Sequence, residues 1–239
     1  MSWGQTAPRT AMLEEGIRSE VEKMTPNTMA LAYTEPTGGE GQNISVLVVV
    51  QGVRKRVRRV PRTIEGAKVE LLVVGRKLFE SDVRSSSLLE IAAARLLLPH
   101  TALKGEGYLD QWERRYKGRK IRESLTGLVL EHPELSSELL IDPRYFVHDG
   151  LLKLSHTLPQ AYDLLRALDD GELGLLKGYA GALEDLEREG IIHTVDGLVA
   201  VDGGFADAVL SKGISLFHQR TRVQRRLGDL LKLGLNDVA

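Results

Sequence analysis

The densest run of chemistry-bearing side chains is VRKRVRRVPR, residues 53–62. There Arg54, Lys55, Arg56, Arg58, Arg59 and Arg62 set six cations within nine positions. A cluster of that density suits a polyanion, because each Lys or Arg that neutralises a phosphate releases a condensed counterion. The same run lies between two strand-like segments. It therefore also reads as an edge strand whose charges ward off edge-to-edge pairing. A phosphate-rich partner, RNA or the ribosome, is the expectation carried forward. WERRYKGRKIR, residues 112–122, adds Arg114, Arg115, Lys117, Arg119, Lys120 and Arg122 on a helix. Trp112 and Tyr116 lie one turn apart on it, spaced either to stack on bases or to pack against the fold. Arg220, Arg222, Arg225 and Arg226 form a further basic cluster, read as a solvated helix face or a second phosphate contact.

Other chemistries are excluded by residue type. With no cysteine there is no disulfide, thiolate metal site or thiol nucleophile. The six histidines, at 100, 132, 148, 156, 193 and 218, show no tight ligand spacing.

The elements that must position these groups are read from periodicity. Apolar residues at Met12, Leu13, Ile17 and Val21 predict a helix over 10–24, ended by Pro26. MALAYT (29–34) reads as a strand, EPTGGEGQ (35–42) as a glycine-rich turn, and ISVLVVVQ (44–51) as a buried central strand. KVELLVVG (68–75) is a third strand, SSLLEIAAARLLL (86–98) an apolar helix stopped by Pro99, and 107–131 a long charged helix. Residues 142–168 read as two or three helices broken at Pro159, and 178–190 as a helix stopped by glycine. IIHTVDGLVAVDGG (191–204) is a hairpin turning at Asp196-Gly197, followed by one more helix over 205–231. Helix, short helix, helix and hairpin, in that order, suggest a winged helix. Its third helix carries Glu184, Asp185, Glu187 and Glu189 against Arg188 alone, a face that phosphates would repel, so packing or protein contact is expected of it.

The strand, glycine turn, strand and strand order over 29–75 resembles the nucleotidyltransferase superfamily of polymerase-β-like fold. It looks most like an archaeal group of predicted nucleotidyltransferases with helical and winged-helix segments behind the catalytic fold. The resemblance implies an α+β protein: a nucleotidyltransferase-like mixed sheet with helices over 1–140, then a helical and winged-helix domain over 141–239. In that superfamily a Gly-Ser pair ends a strand, two carboxylates one residue apart open the next, and a third lies on a later strand. Together they clamp two Mg²⁺ ions, since hard cations take carboxylate oxygens.

Laid on this chain, the Gly-Ser position falls at Tyr33-Thr34 and the loop glycines at Gly38 and Gly39. The paired acids fall at Asn43 and Ser45, and the third acid at Glu70. Thr34, Gly38 and Gly39 would be the nucleotide-binding positions, although the two glycines also suit a plain turn. Asn43, Ser45 and Glu70 would be the vestigial catalytic positions, with Glu70 alone left as a ligand for Mg²⁺. Losing two negative charges from a two-metal site removes most of its attraction for the metal. Glu35 and Glu40 in the loop could replace them, and Glu70 itself could be a polar residue on the solvated face of an edge strand.

Composition is that of a packed globular chain of 239 residues, 42% hydrophobic and 27% charged. Residues 1–140 carry a net charge of +3 and the rest −4. Arginine outnumbers lysine 21 to 11, and asparagine occurs three times, a pattern that fits a heat-adapted organism. No apolar run is long enough to span a bilayer, and MSWGQTAPRT lacks a signal peptide's apolar core, so no membrane partner and a cytoplasmic location are expected. Three functions follow: a non-catalytic RNA- or ribosome-binding module, an active Mg²⁺-dependent nucleotidyltransferase using Glu70 and a loop carboxylate, or a nucleotide-sensing regulator.

Overall fold

A computed structural model describes residues 6–34, 43–52, 57–134, 136, 138–154, 161 and 174–212. The chain forms two compact units, one of residues 1–121 and 143–185, the other of 122–142 and 186–239.

The first unit is built on a five-stranded mixed sheet. Its strands are β1 (Thr28–Thr34), β2 (Ile44–Val50), β3 (Val57–Ile64), β4 (Ala67–Gly75) and β5 (Thr101–Lys104), in the order β3-β4-β2-β1-β5. Only the β2–β4 pairing is parallel. β2 and β4 are the β-branched runs, and central placement buries both of their faces. One face packs on α1 (Thr6–Met24): Ile17 and Val21 meet Leu31, Tyr33, Val46, Val48, Leu71 and Val73. Approach is close there, since a β-carbon on Gly16 would lie 2.6 Å from Ile64 Cγ2. β3 and β4 are joined at Glu65-Gly66, both with positive φ, the backbone of a type I′ hairpin turn. Being internal, β4 does not put Glu70 on an edge strand, and that reading is corrected.

The expected helix over 86–98 does not form. The helix lies earlier, at α2 (Arg76–Ser85), followed by turns and a 3₁₀ segment over Ala93–Leu97. The cause is Asp82, which is fully buried. Its Oδ1 accepts the amides of Leu88 (2.7 Å) and Glu90 (3.1 Å), and its Oδ2 those of Ala92 (3.1 Å) and Ala93 (2.9 Å). A carboxylate satisfying four amides competes directly with the i→i−4 ladder. It holds Ser86, Leu89 and Glu90 at positive φ, a conformation that costs a non-glycine residue of order 1–3 kcal/mol.

α3 (Glu106–Glu131) is the expected long charged helix, and α4 (Arg144–Leu154) and α5 (Gly174–Arg188) follow it. The second unit contains a three-stranded antiparallel sheet of β6 (Leu140–Ile141), β7 (Ile192–Val195) and β8 (Leu198–Val201), with β8 central. Asp196 and Gly197, both with positive φ, make the expected turn of the β7–β8 hairpin. A helix over 203–212 follows. The expected break at Pro159 and the basic cluster at 220–226 lie outside the described residues.

Candidate functional site

Strand register determines which expected site residues share a face. Thr34 pairs with Ser45 across β1–β2, Ser45 with Glu70 across β2–β4, and Glu70 with Pro61 across β4–β3. Directly paired residues point the same way, so Thr34, Ser45 and Glu70 form one row on the face opposite α1. Thr34 and Ser45 are buried. Asn43 stands two positions before Ser45, exposed at the mouth of β2. Gly38 and Gly39, with the alternative ligands Glu35 and Glu40, lie outside the described residues.

Where the sequence resemblance implies vestigial metal-binding positions, this row holds a guanidinium. Arg95, from the 3₁₀ segment, donates through Nε to Ser45 Oγ at 2.9 Å and through Nη2 to Glu70 Oε1 at 3.2 Å. Its Nη1 donates to the Ile91 carbonyl in a short hydrogen bond. Arg95 is only 5% exposed. Burial pulls its pKa down to about 10; Glu70 opposes that fall and Arg59 adds to it. At neutral pH it is still a cation.

Among the described residues, the donor set therefore does not fit a divalent metal. An amide, a hydroxyl and one carboxylate stand at the three expected acid positions, and the last two are already engaged by a positive charge. Among the described residues, no cluster of three or more His, Asp or Glu is placed to hold a metal ion. Sequence reasoning overlooked Arg95. Its signal was a lone cation inside the apolar run AAARLLL, a residue type rarely buried without partners.

The basic arm is only partly described, since Arg54, Lys55 and Arg56 lie outside the described residues. β3 is the expected edge strand, and alternation splits its charges between faces. Arg59 pairs in register with Leu72, on the face of Ser45 and Glu70, whereas Arg58 and Arg62 fall on the α1 face. Arg58 and Arg59 are exposed, with no ion pair among the described residues. Arg62 is answered by Glu20 of α1 at 2.7 Å.

The second basic feature is spent inside the fold. Arg114 binds Asp185 through Nε (3.0 Å) and Nη2 (2.9 Å), Lys117 pairs with Glu113, and Arg122 with Glu189. Arg119 (2.6 Å) and Lys120 (3.3 Å) converge on Glu90. Tyr116 is fully buried and donates its hydroxyl to Glu90 Oε2. Trp112 is 3% exposed, with the guanidinium carbons of Arg84 and Arg115 each 4.9 Å from its ring centre. Neither aromatic is free to stack on a base, and the packing alternative holds. The acids of α5 and of the turn after it act likewise: Asp185 and Glu189 bind arginines, and Glu187 accepts the Thr194 amide.

No helix among the described residues is long and apolar enough to cross a membrane. The chain matches no protein-family model and no curated protein. Among solved structures it is similar to a nucleotidyltransferase-like protein from Exiguobacterium sibiricum, at 15% identity over 74% of this chain and 73% of that one. The TM-score is 0.35, too loose a likeness to carry over a fold or a role.

Proposed function

We propose that this chain is a nucleotidyltransferase-like module in which an arginine has replaced the catalytic metal, and that it binds RNA, free or in the ribosome, without transferring nucleotides. The observation carrying this reading is the Arg95 guanidinium seated between Ser45 and Glu70. A second cation brought to that row would meet like charge, and a lone carboxylate supplies too little attraction to displace the guanidinium. The binding half rests on β3, whose Arg58 and Arg59 remain exposed while most cations of α3 are answered by the fold's own acids. Arg54, Lys55 and Arg56 would extend that contact. The helical and hairpin segments after residue 141 we read as a winged helix serving packing.

The test combines titration and activity. Full-length protein is titrated with single-stranded RNA at several salt concentrations, and assayed for nucleotide transfer with Mg²⁺. Binding should weaken with salt, with a logarithmic slope of about −0.7 per phosphate neutralised. Arg58→Ala/Arg59→Ala should lower both affinity and slope. No transfer should appear. Glu70-dependent transfer would instead establish the active-enzyme reading, with Glu35 or Glu40 completing the site. Mononucleotide binding without RNA binding would establish the regulator.

A further inference from the structure

Beside β5, within the first unit, lies a cavity of about 430 Å³, a size suited to a small organic ligand. Leu97, Leu98 and Pro99 give it an apolar wall, and Ala102 of β5 lies in its lining. Another wall is α3, which contributes Glu106, Asp110, Glu113 and Lys117 at successive turns. Ala102 pairs in register with Ala32, two residues from Thr34, so the cavity opens on the sheet face of the Thr34–Ser45–Glu70 row. It shares none of that row's residues.

The charges on its walls do not cancel. Both basic side chains face one acid: Lys117 pairs with Glu113, and His100 Nε2 lies 3.6 Å from Glu113 Oε2. His100 Nδ1 meets the Leu98 carbonyl at 3.0 Å, which sets the ring's orientation. Lys117 is 4% exposed, and its ammonium sits 4.9 Å from the centre of the Tyr179 ring, so it is not available to another anion. Glu106 and Asp110, one turn apart, are exposed and have no ion pair among the described residues. Like charges at that spacing repel. The positive end of the helix eases Glu106 in the first turn, but its influence has faded by Asp110.

We propose that this cavity binds a small organic amine, its ammonium between Glu106 and Asp110 and its apolar body against Leu97, Leu98 and Pro99. An anion would meet two unanswered carboxylates and no free cation, and a wholly apolar molecule would leave those carboxylates unpaired. The assignment does not depend on the RNA reading.

Calorimetric titration of the full-length protein tests it with two probes of equal size and opposite charge, phenethylamine and 3-phenylpropionate. The amine should bind and the acid should not. Glu106→Gln/Asp110→Asn should weaken amine binding by at least about tenfold. Both positions are exposed, so the variant should melt with the wild type. An Ala102→Leu variant, which narrows the cavity from β5, should also weaken the amine while both acids remain. Equal binding of the two probes, no amine binding up to roughly 10 mM, or undiminished affinity in the charge variant would overturn the proposal.

Discussion

Arg95 separates two roles for Glu70 that would otherwise look alike. As a metal ligand, Glu70 would leave fold stability nearly unchanged when removed and would make the protein respond to Mg²⁺. As the counterion of a guanidinium that is 5% exposed, it stabilises the fold. Glu70→Ala leaves that cation with only Ser45 and the Ile91 carbonyl, and should cost about 1–3 kcal/mol in chemical denaturation. Pairing it with Arg95→Met removes the stranded charge and should recover much of the loss. Mg²⁺ should move the melting temperature of neither wild type nor variant. A Mg²⁺-dependent rise in the wild type that Glu70→Ala abolishes would return the residue to metal chemistry. That Ser45 and Glu70 share a face was legible in sequence because a β-strand's period of two leaves few registers. Their occupant was not, since Arg95 lies 25 residues beyond Glu70 in a segment of helical appearance.

At the scale of elements, the turn after α2 is the place where local pattern misled. SSLLEIAAARLLL has helical composition, but propensity is a weak prior beside a buried carboxylate collecting four amides. The same turn is tied to α3 through Glu90. Burial alone would raise the Glu90 pKa, but hydrogen bonds from Ser86 and Tyr116 and the charges of Lys120 and Arg119 outweigh it, and the folded value lies below the ordinary one. A depressed carboxylate contributes stability that is fully present above its unfolded pKa of about 4.3 and is lost as pH falls through the folded value. Glu90→Gln should therefore be less stable at neutral pH, and denaturation curves of variant and wild type should converge in acid. Parallel curves at all pH values would show that the charge is not what holds the turn. β1, β2, β4 and α3 were recognisable in advance because their patterns are long, whereas β5 and β6, of four and two residues, are too short to show one. The charge partners of α3 were not, because Glu90 and Asp185 are distant in sequence and nothing in a run of arginines tells which are already answered.

For the whole molecule, the distribution of arginine matters more than its number. The net charge of −1 conceals a fold that spends most described α3 cations on its own acids and leaves Arg58 and Arg59 on an exposed edge. Composition reports the total and cannot report the pairing, which explains why two basic runs of similar appearance part company in the structure. Asp82 carries a further consequence, seen in solvent exchange. Ordinary turns lose amide protons one at a time, each through its own small fluctuation. Here the amides of Leu88, Glu90, Ala92 and Ala93 end on a single buried carboxylate. Deuterium should enter all four with one common protection factor, and Asp82→Asn should lower the four together. Four scattered rates would mean that the segment opens piecemeal; one shared rate would make this irregular stretch as cooperative a unit as the strands it covers.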